Sequence, residues 1–323
     1  MKILLIEQIG EKDFFPTYYF KNNGHEVVQF DLYDYYTTYL YRVFKKITLI
    51  NWKKWISHKI FEKVVSCEPD IILFYNLEYL ELNTLFKIKN FSPEIRLFCW
   101  HGDDFLNPKF NSIIQRQKLP LIDVHFTPRQ HLANEYLNLG AKDVIKVNWY
   151  YKSKREFPSQ SIYDISFFGS IDKKRDFYIG QLNFQNFVIG GYGWNKKNIN
   201  AREIYKHVSL DRMNDLISCS KISLNFLTDS NRDRTNFRNF EIPSQYSLQI
   251  SERTEEICDI FGEDIGIICF QSPEELNDKI EFYLKNDSLR NKIISNSFNI
   301  ISDKKYSVEF QLDIIQKRIL NYQ

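Results

Sequence analysis

The feature that most constrains this chain is a rhythm. Short, largely apolar runs recur along it, each followed by helix-like sequence. They fall at 2–6 (KILLI), 27–30, 70–75 (DIILFY), 95–100 (IRLFCW), 124–127 and 144–148. After a polar interval the rhythm restarts at 164–168 (DISFF), 187–190, 222–226 (ISLNF), 247–251 and 267–270. A strand with one wet face alternates apolar and polar residues. A strand that is apolar throughout is covered on both faces, as in a parallel sheet wound with helices. The expected fold is therefore α/β: two Rossmann-like, doubly wound parallel-sheet domains facing a cleft. The chain has 323 residues, more than one core usually serves, which also favours two domains. The boundaries read as 1–150 for the first domain, 151–163 for a polar linker holding Pro158, and 164–307 for the second. Two helices are well marked. One runs near Pro16 to Asn22 and stops at Gly24. The other runs from Ser272 to Asn286, with a Ser cap, Pro in the first turn and acids near the positive end of the dipole.

Composition removes several classes of function. A net charge of +2 is too small for a general nucleic-acid binder. The five cysteines (67, 99, 219, 258 and 269) show no CxxC spacing and read as buried thiols in a reducing compartment. The N-terminus reads as a first strand, not a signal peptide. No stretch reaches the roughly 18 apolar residues that span a bilayer, so a cytoplasmic protein is expected. The first strand is followed by E-Q-I-G-E-K, without the G-x-G-x-x-G of a dinucleotide oxidoreductase. Metal-ligand spacings are missing as well, because Asp103 and Asp104 are adjacent and do not form D-x-D. No metal and no cofactor are expected.

Ligands of doubly wound sheets bind beyond the carboxyl ends of the strands, so the residues there carry the functional reading. After the strand at 164–168 come Gly169 and Ser170, then Lys174 and Arg175. The glycine lets a ligand approach the backbone, and the two cations suit a diphosphate. Read alone, this is equally a plain turn before a solvated basic helix. The run GGYGW, with Gly193 and Trp194, follows the next strand and predicts a tight turn near the cleft. Asn225 is the last residue but one of ISLNF. Asp233, Thr235, Asn236, Arg238 and Glu241 follow, and a helix beginning near Thr235 would offer backbone N–H groups to a phosphate. Arg238 and Glu241, three apart, share a helix face. Without further context that is an ordinary surface salt bridge. In the first half, His101, Asp103 and Asp104 follow the strand ending at Trp100. An Asp there could act as base and His101 could stabilise charge. The alternative is a turn with His101 as a satisfied polar group.

Taken together, DISFFGS with its basic helix start, GGYGW, SKISLNF, RNFEIP, ISERTEE and FQSPEELNDKIEFYLKNDSLRNKI resemble the CgeB-like glycosyltransferases. The resemblance covers about 164–294. It implies the GT-B fold, a final helix over 308–323 that crosses back to the first domain, and a donor held between the domains. It also implies metal-independent transfer of a sugar from a nucleotide-sugar co-substrate to a glycan, lipid-linked or protein acceptor, in bacterial surface-glycan synthesis. Glu241 matches the second acid of the group's E-x7-E motif. Asp233 stands where the first Glu belongs and is shorter. Arg175 and Arg238 match conserved basic positions, while the Gly-rich first loop is represented only by Gly10. A non-catalytic structural or binding protein on the same scaffold is the alternative.

The segment from Tyr35 to Val65 holds seven Lys or Arg against one acid, Glu62. Trp52, Ile56, Ile60 and Val64 repeat at helical spacing beside Trp55. This is the composition of a helix resting on an anionic inner membrane face, and equally of a core-packed helix with a solvated basic side.

Overall fold

The computed structural model describes residues 1–7, 15–36, 52–107, 112–151, 161–195, 199 and 201–322. Gly10, most of the expected linker and residues 37–51 of the basic segment lie outside them. The chain divides into two compact units. The first is Met1–Asn148 with Ser230–Arg232 and Leu312–Gln323, and the second is Trp149–Asp229 with Asp233–Gln311.

The first unit contains β1 (Lys2–Glu7), β2 (Glu26–Asp31), β3 (Ile71–Tyr75), β4 (Arg96–Trp100), β5 (Val124–Thr127) and β6 (Val144–Lys146). They form one sheet in the order β2-β1-β3-β4-β5-β6, and every pairing is parallel. The interior strands β3 and β5 are buried throughout, whereas the edge strands β2 and β6 are half exposed. That gradient explains why the run at β3, IILFY, is apolar without interruption. Helix Trp52–Cys67 buries Ile56, Ile60 and Val64 against this core. Trp52 and Trp55 also pack on it, Trp55 edge-on to Tyr35 at 5.5 Å. The tryptophans expected to enter a membrane interface therefore serve the core. Lys53 and Lys54 are exposed. At the far end of the chain, Arg318 donates twice to Asp143, and Tyr322 meets Phe98 edge-on.

The second unit contains β7 (Tyr163–Phe168), β8 (Phe187–Gly190), β9 (Glu203–Tyr205), β10 (Ser220–Asn225), β11 (Leu248–Glu252) and β12 (Ile268–Phe270). Their order is β12-β11-β10-β7-β8-β9, again all parallel. Successive residues of β7 serve opposite faces: Phe167 joins the cluster with Leu276 and Ile280, and Phe168 joins the one with Met213 and Ile217. Three hydroxyls link the central strands, with Ser166 2.6 Å from Ser223 and Ser223 2.8 Å from Ser247. Buried at low dielectric, such a chain fixes register more firmly than apolar contacts do.

The doubly wound architecture expected from the apolar rhythm is borne out in both units. The rhythm misses β9, an edge strand with one aliphatic residue, Ile204, held by pairing with β8. The helix expected from the Ser272 cap is observed as Pro273–Lys285, and the cap hydroxyl accepts from the Glu275 amide at 3.2 Å.

Candidate functional site

The strand order of the second unit reverses between β7 and β10. Just beyond their carboxyl ends a doubly wound sheet binds its ligands. Arg175 spans this point. One of its terminal nitrogens donates to the Ser170 carbonyl, and the other to the Phe226 carbonyl and the Thr228 hydroxyl, all at 3.0 Å. Asp172 caps the helix Lys173–Gly180 by accepting from the Arg175 amide at 2.9 Å. Arg175 is thus a clamp between two strand ends. Lys174 departs further from its expected role. Its ammonium bridges Asp229 at 2.5 Å and Glu252 at 2.9 Å, so two carboxylates already balance its charge.

The glycine-rich run also packs inward. Gly191, with φ +141°, lets the chain lie directly on the turn after β7; a Cβ there would overlap the Gly169 carbonyl and stand 3.0 Å from the Ser170 nitrogen. Gly193, with φ +95°, leaves room for Ile171. Trp194 is 1% exposed and donates its indole N–H to the Gly169 carbonyl at 2.6 Å. This corrects its expected place among ligand contacts: Trp194 is a core residue that holds the turn 169–170 from beneath. Ser170 itself is exposed at the tip.

The helix expected near Thr235 begins at Arg238 and ends at Ser244. Asparagine side chains take the backbone groups that an earlier start would need. The Asn236 amide donates to the Asn239 side chain at 2.9 Å, and the Asn239 amide returns to the Asn236 side chain at 3.3 Å. Asn236 also exchanges amide hydrogen bonds with Asn225 at 3.1 and 3.2 Å. Thr235 is buried and donates to Glu256 at 2.7 Å. Thr235 and Asn236 therefore build the loop and do not present a helix terminus to phosphate. Asp233 accepts weakly from the Thr228 amide at 3.4 Å, closing the loop 228–233. Arg238 and Glu241 do share a face, paired at 2.6 Å, with the arginine 3.0 Å from the Met213 sulfur. The Glu241 side chain is only 9% exposed and that of Arg238 22%, so the pair is enclosed, unlike a surface salt bridge.

In the first unit, His101 is fully buried. Its Nε2 lies 2.8 Å from His125 Nδ1, and His125 Nε2 lies 3.0 Å from the Leu119 carbonyl. A carbonyl only accepts, so His125 carries its proton on Nε2. His101 must then donate from Nε2, leaving its Nδ1 as acceptor 3.7 Å from the Cys99 thiol. Burial lowers the His101 pKa well below its ordinary value and pushes His125 down to about 4. Both rings are neutral, and each hydrogen-bonds inside the first unit. Asp104 is also buried and bound, accepting from Arg232 at 2.6 and 3.0 Å and from the Leu106 amide at 3.1 Å. It is not available as a base. Asp103 is half-buried. It accepts from Asn231 at 2.8 Å and lies 3.5 Å from the Asn76 amide nitrogen. Asn76, at φ +66°, holds the turn by accepting from the amides of Gly102 and Asp103. The sequence reading does not single out Asn76, His125 or Arg232. Asn76 carries a signal, an Asn directly after a strand, where left-handed backbone is tolerated.

The buried histidines give a pH prediction. The unfolded chain takes up protons near the ordinary pKa of 6.5, which His125 in the fold does not do until about 4. Stability is thus complete above pH 6.5 and is lost as pH falls towards 4. The loss is about 3 kcal/mol for this group, at 1.36 kcal/mol per unit. Urea unfolding between pH 7 and 4.5 measures it. A profile that His125→Gln leaves unaltered would remove the histidine from the cause.

Among the described residues no group of three or more His, Cys, Asp or Glu is placed to hold a metal ion, and no helix is long and apolar enough to cross a membrane. Residues 167–310 match a family model described as glycosyl transferase-like. That span runs from the end of β7 through Arg175, Arg238 and Glu241. No curated protein matches the chain. Solved structures of similar fold include the Anabaena protein HepE in complex with UDP-glucose, at 10% identity and TM-score 0.67, covering 99% of both chains. An alpha-glucosyltransferase in complex with UDP-glucose and DNA containing an abasic site shares 13% identity at TM-score 0.65, again over 99% of both. A glycosyltransferase from Rickettsia africae shares 12% identity at TM-score 0.60, over 100% of this chain and 99% of that one. The chain has the GT-B fold. At these identities the likeness speaks for fold alone.

Proposed function

We propose that this protein is a glycosyltransferase that takes a UDP-sugar as donor, binds it through the second unit, and works without a metal. One observation carries the reading: the span matched by the glycosyl transferase-like family contains both the β7/β10 switch point and the enclosed Arg238–Glu241 pair. In this reading the exposed turn at Ser170, fixed by Arg175, Gly191 and Trp194, offers backbone groups to the diphosphate. Glu241, oriented by Arg238, accepts from hydroxyls of the ribose or sugar. Asp103 is the acid of the first unit best suited to act as base, since Asp104 is held by Arg232. The narrower CgeB-like assignment, a glycan, lipid-linked or protein acceptor, and a role in surface-glycan synthesis belong to the same proposal. UDP-glucose fits the donors named in two of the similar structures.

The test is donor turnover. The protein is expected to bind UDP and to consume a UDP-sugar, with release of UDP in excess EDTA. Turnover that disappears in EDTA and returns only with Mn²⁺ or Mg²⁺ would overturn metal independence. UDP binding with no consumption of any UDP-sugar across an acceptor panel would favour a binding protein on the same scaffold.

A further inference from the structure

In the second unit, helix Glu255–Phe261 and strand β12 each carry a cysteine. The Sγ atoms of Cys258 and Cys269 lie 4.0 Å apart. At that distance the two sulfurs touch without being bonded. The residues are eleven apart in sequence, and the turn between them is closed by its own backbone. The Gly266 amide donates to the Gly262 carbonyl at 3.0 Å, and the Asp264 amide to the Ile267 carbonyl at 2.8 Å. The pair is therefore held together by local structure before any covalent bond forms. Cys269 is fully buried, beside Phe240, Ile257 and Phe261, whereas Cys258 is half-buried. The Cys258 sulfur also lies 3.9 Å from the Glu263 carboxylate, which pairs with Arg253.

We propose that Cys258 and Cys269 form a reversible disulfide, and that closing it weakens donor binding. The oxidant is a small disulfide such as oxidised glutathione. Exchange begins with attack by a thiolate on a disulfide sulfur. Burial pushes the Cys269 thiol up, and Cys258 is the sulfur nearer solvent, so Cys258 reacts first. Its thiolate attacks one glutathione sulfur, forms a mixed disulfide and releases one glutathione thiolate. The Cys269 sulfur then attacks Cys258 Sγ and expels the second, which takes up the Cys269 proton. The protein loses two electrons and two protons, and oxidised glutathione becomes two thiols.

The effect on the donor rests on the glycosyltransferase reading, whereas the disulfide does not. Joining the sulfurs draws helix Glu255–Phe261 and β12 together. That helix is tied to the loop before Arg238 by two short hydrogen bonds: Thr254 donates to the Arg234 carbonyl at 2.6 Å, and Thr235 donates to Glu256 at 2.7 Å. Phe261 also packs on Phe240, the neighbour of Glu241, with ring centres 5.6 Å apart. These links leave little slack, so the loop and the helix Arg238–Ser244 move with the cysteines. In the reduced form Arg238 and Glu241 are paired at 2.6 Å, and oxidation displaces the elements that carry them.

The experiment treats the full chain with oxidised or reduced glutathione, alkylates it with iodoacetamide and digests it with trypsin. No Lys or Arg lies between Arg253 and Lys279, so residues 254–279 come off as one peptide holding both cysteines and none of the other three. After oxidation this peptide is expected to be lighter by two hydrogens and unalkylated, and dithiothreitol should restore both thiols. Cys258→Ser should abolish the change, and Cys269→Ala serves as the second variant should the first not fold. Affinity for UDP, measured by calorimetry, is expected to fall about tenfold on oxidation, within the usual range for coupled sites. It should recover in dithiothreitol and be insensitive to oxidant in Cys258→Ser. Two alkylated thiols after oxidation, or glutathione retained on Cys258 with no internal bond, would overturn the disulfide. Equal UDP affinity in the oxidised and reduced forms would overturn its effect on the donor. If the disulfide forms but neither form binds UDP, the donor reading falls together with that effect, and the disulfide stands.

Discussion

Glu241→Gln is expected to lower kcat/KM for glycosyl transfer about a hundredfold while the protein stays folded. The substitution keeps the shape of a side chain that is only 9% exposed. It removes the charge that the Arg238 guanidinium meets at 2.6 Å and that a donor hydroxyl would meet in the proposed complex. Hydrogen bonds to charged groups contribute about 1.5–3 kcal/mol, and a hundredfold corresponds to about 2.7 kcal/mol. UDP-sugar affinity should fall with activity, and affinity for UDP alone should fall less if Glu241 touches the sugar. A well-folded variant with ordinary kinetics would reduce the pair to a structural link between helices Arg238–Ser244 and Leu210–Ser218, where Met213 lies.

Gly191→Ala is expected to cost about 3 kcal/mol of stability, and donor binding with it. Two effects add. The backbone sits at φ +141°, a region that a residue with a Cβ occupies only at a cost of about 1–3 kcal/mol. The new methyl would also collide with the backbone at Gly169, which cannot rotate away as a side chain would. Either β8's loop lifts off or the turn at 169–170 moves, and that turn is where the donor diphosphate is proposed to lie. Thermal unfolding should register a fall of roughly 6–12 °C, at about 2–4 °C per kcal/mol for a domain of this size. Gly180→Ala is the control. No heavy atom lies within 4 Å of a Cβ at that position, which ends the helix Lys173–Gly180, so stability should hold or rise slightly. A Gly191→Ala protein as stable as the control would show that the loop has room that the packing does not reveal.

The sequence by itself determined the layers. Unbroken apolar runs such as IILFY at β3 have one physical solution, burial on both faces, and so the parallel sheets were legible before any contact was known. Local caps were legible for the same reason: Ser272 needs only the amide three residues on. Arg238 and Glu241 could be paired from spacing alone, because helix geometry fixes neighbours at i and i+3. The partners of the other candidates came from distant segments, and only the tertiary structure decided them. Lys174 looked free until Asp229 and Glu252 were brought to it. Asp104 and His101 looked like cleft residues until Arg232 and His125, from 128 and 24 positions away, enclosed them. Lys118 is ordinary in sequence, a lysine near the end of a helix, yet it is buried and meets a carbonyl 41 residues earlier, that of Leu77. Spacing specifies which side chains share a strand or a helix face. Whether a charge is solvated, paired or buried depends on which remote chain covers it, and that is settled only when the sheet is assembled.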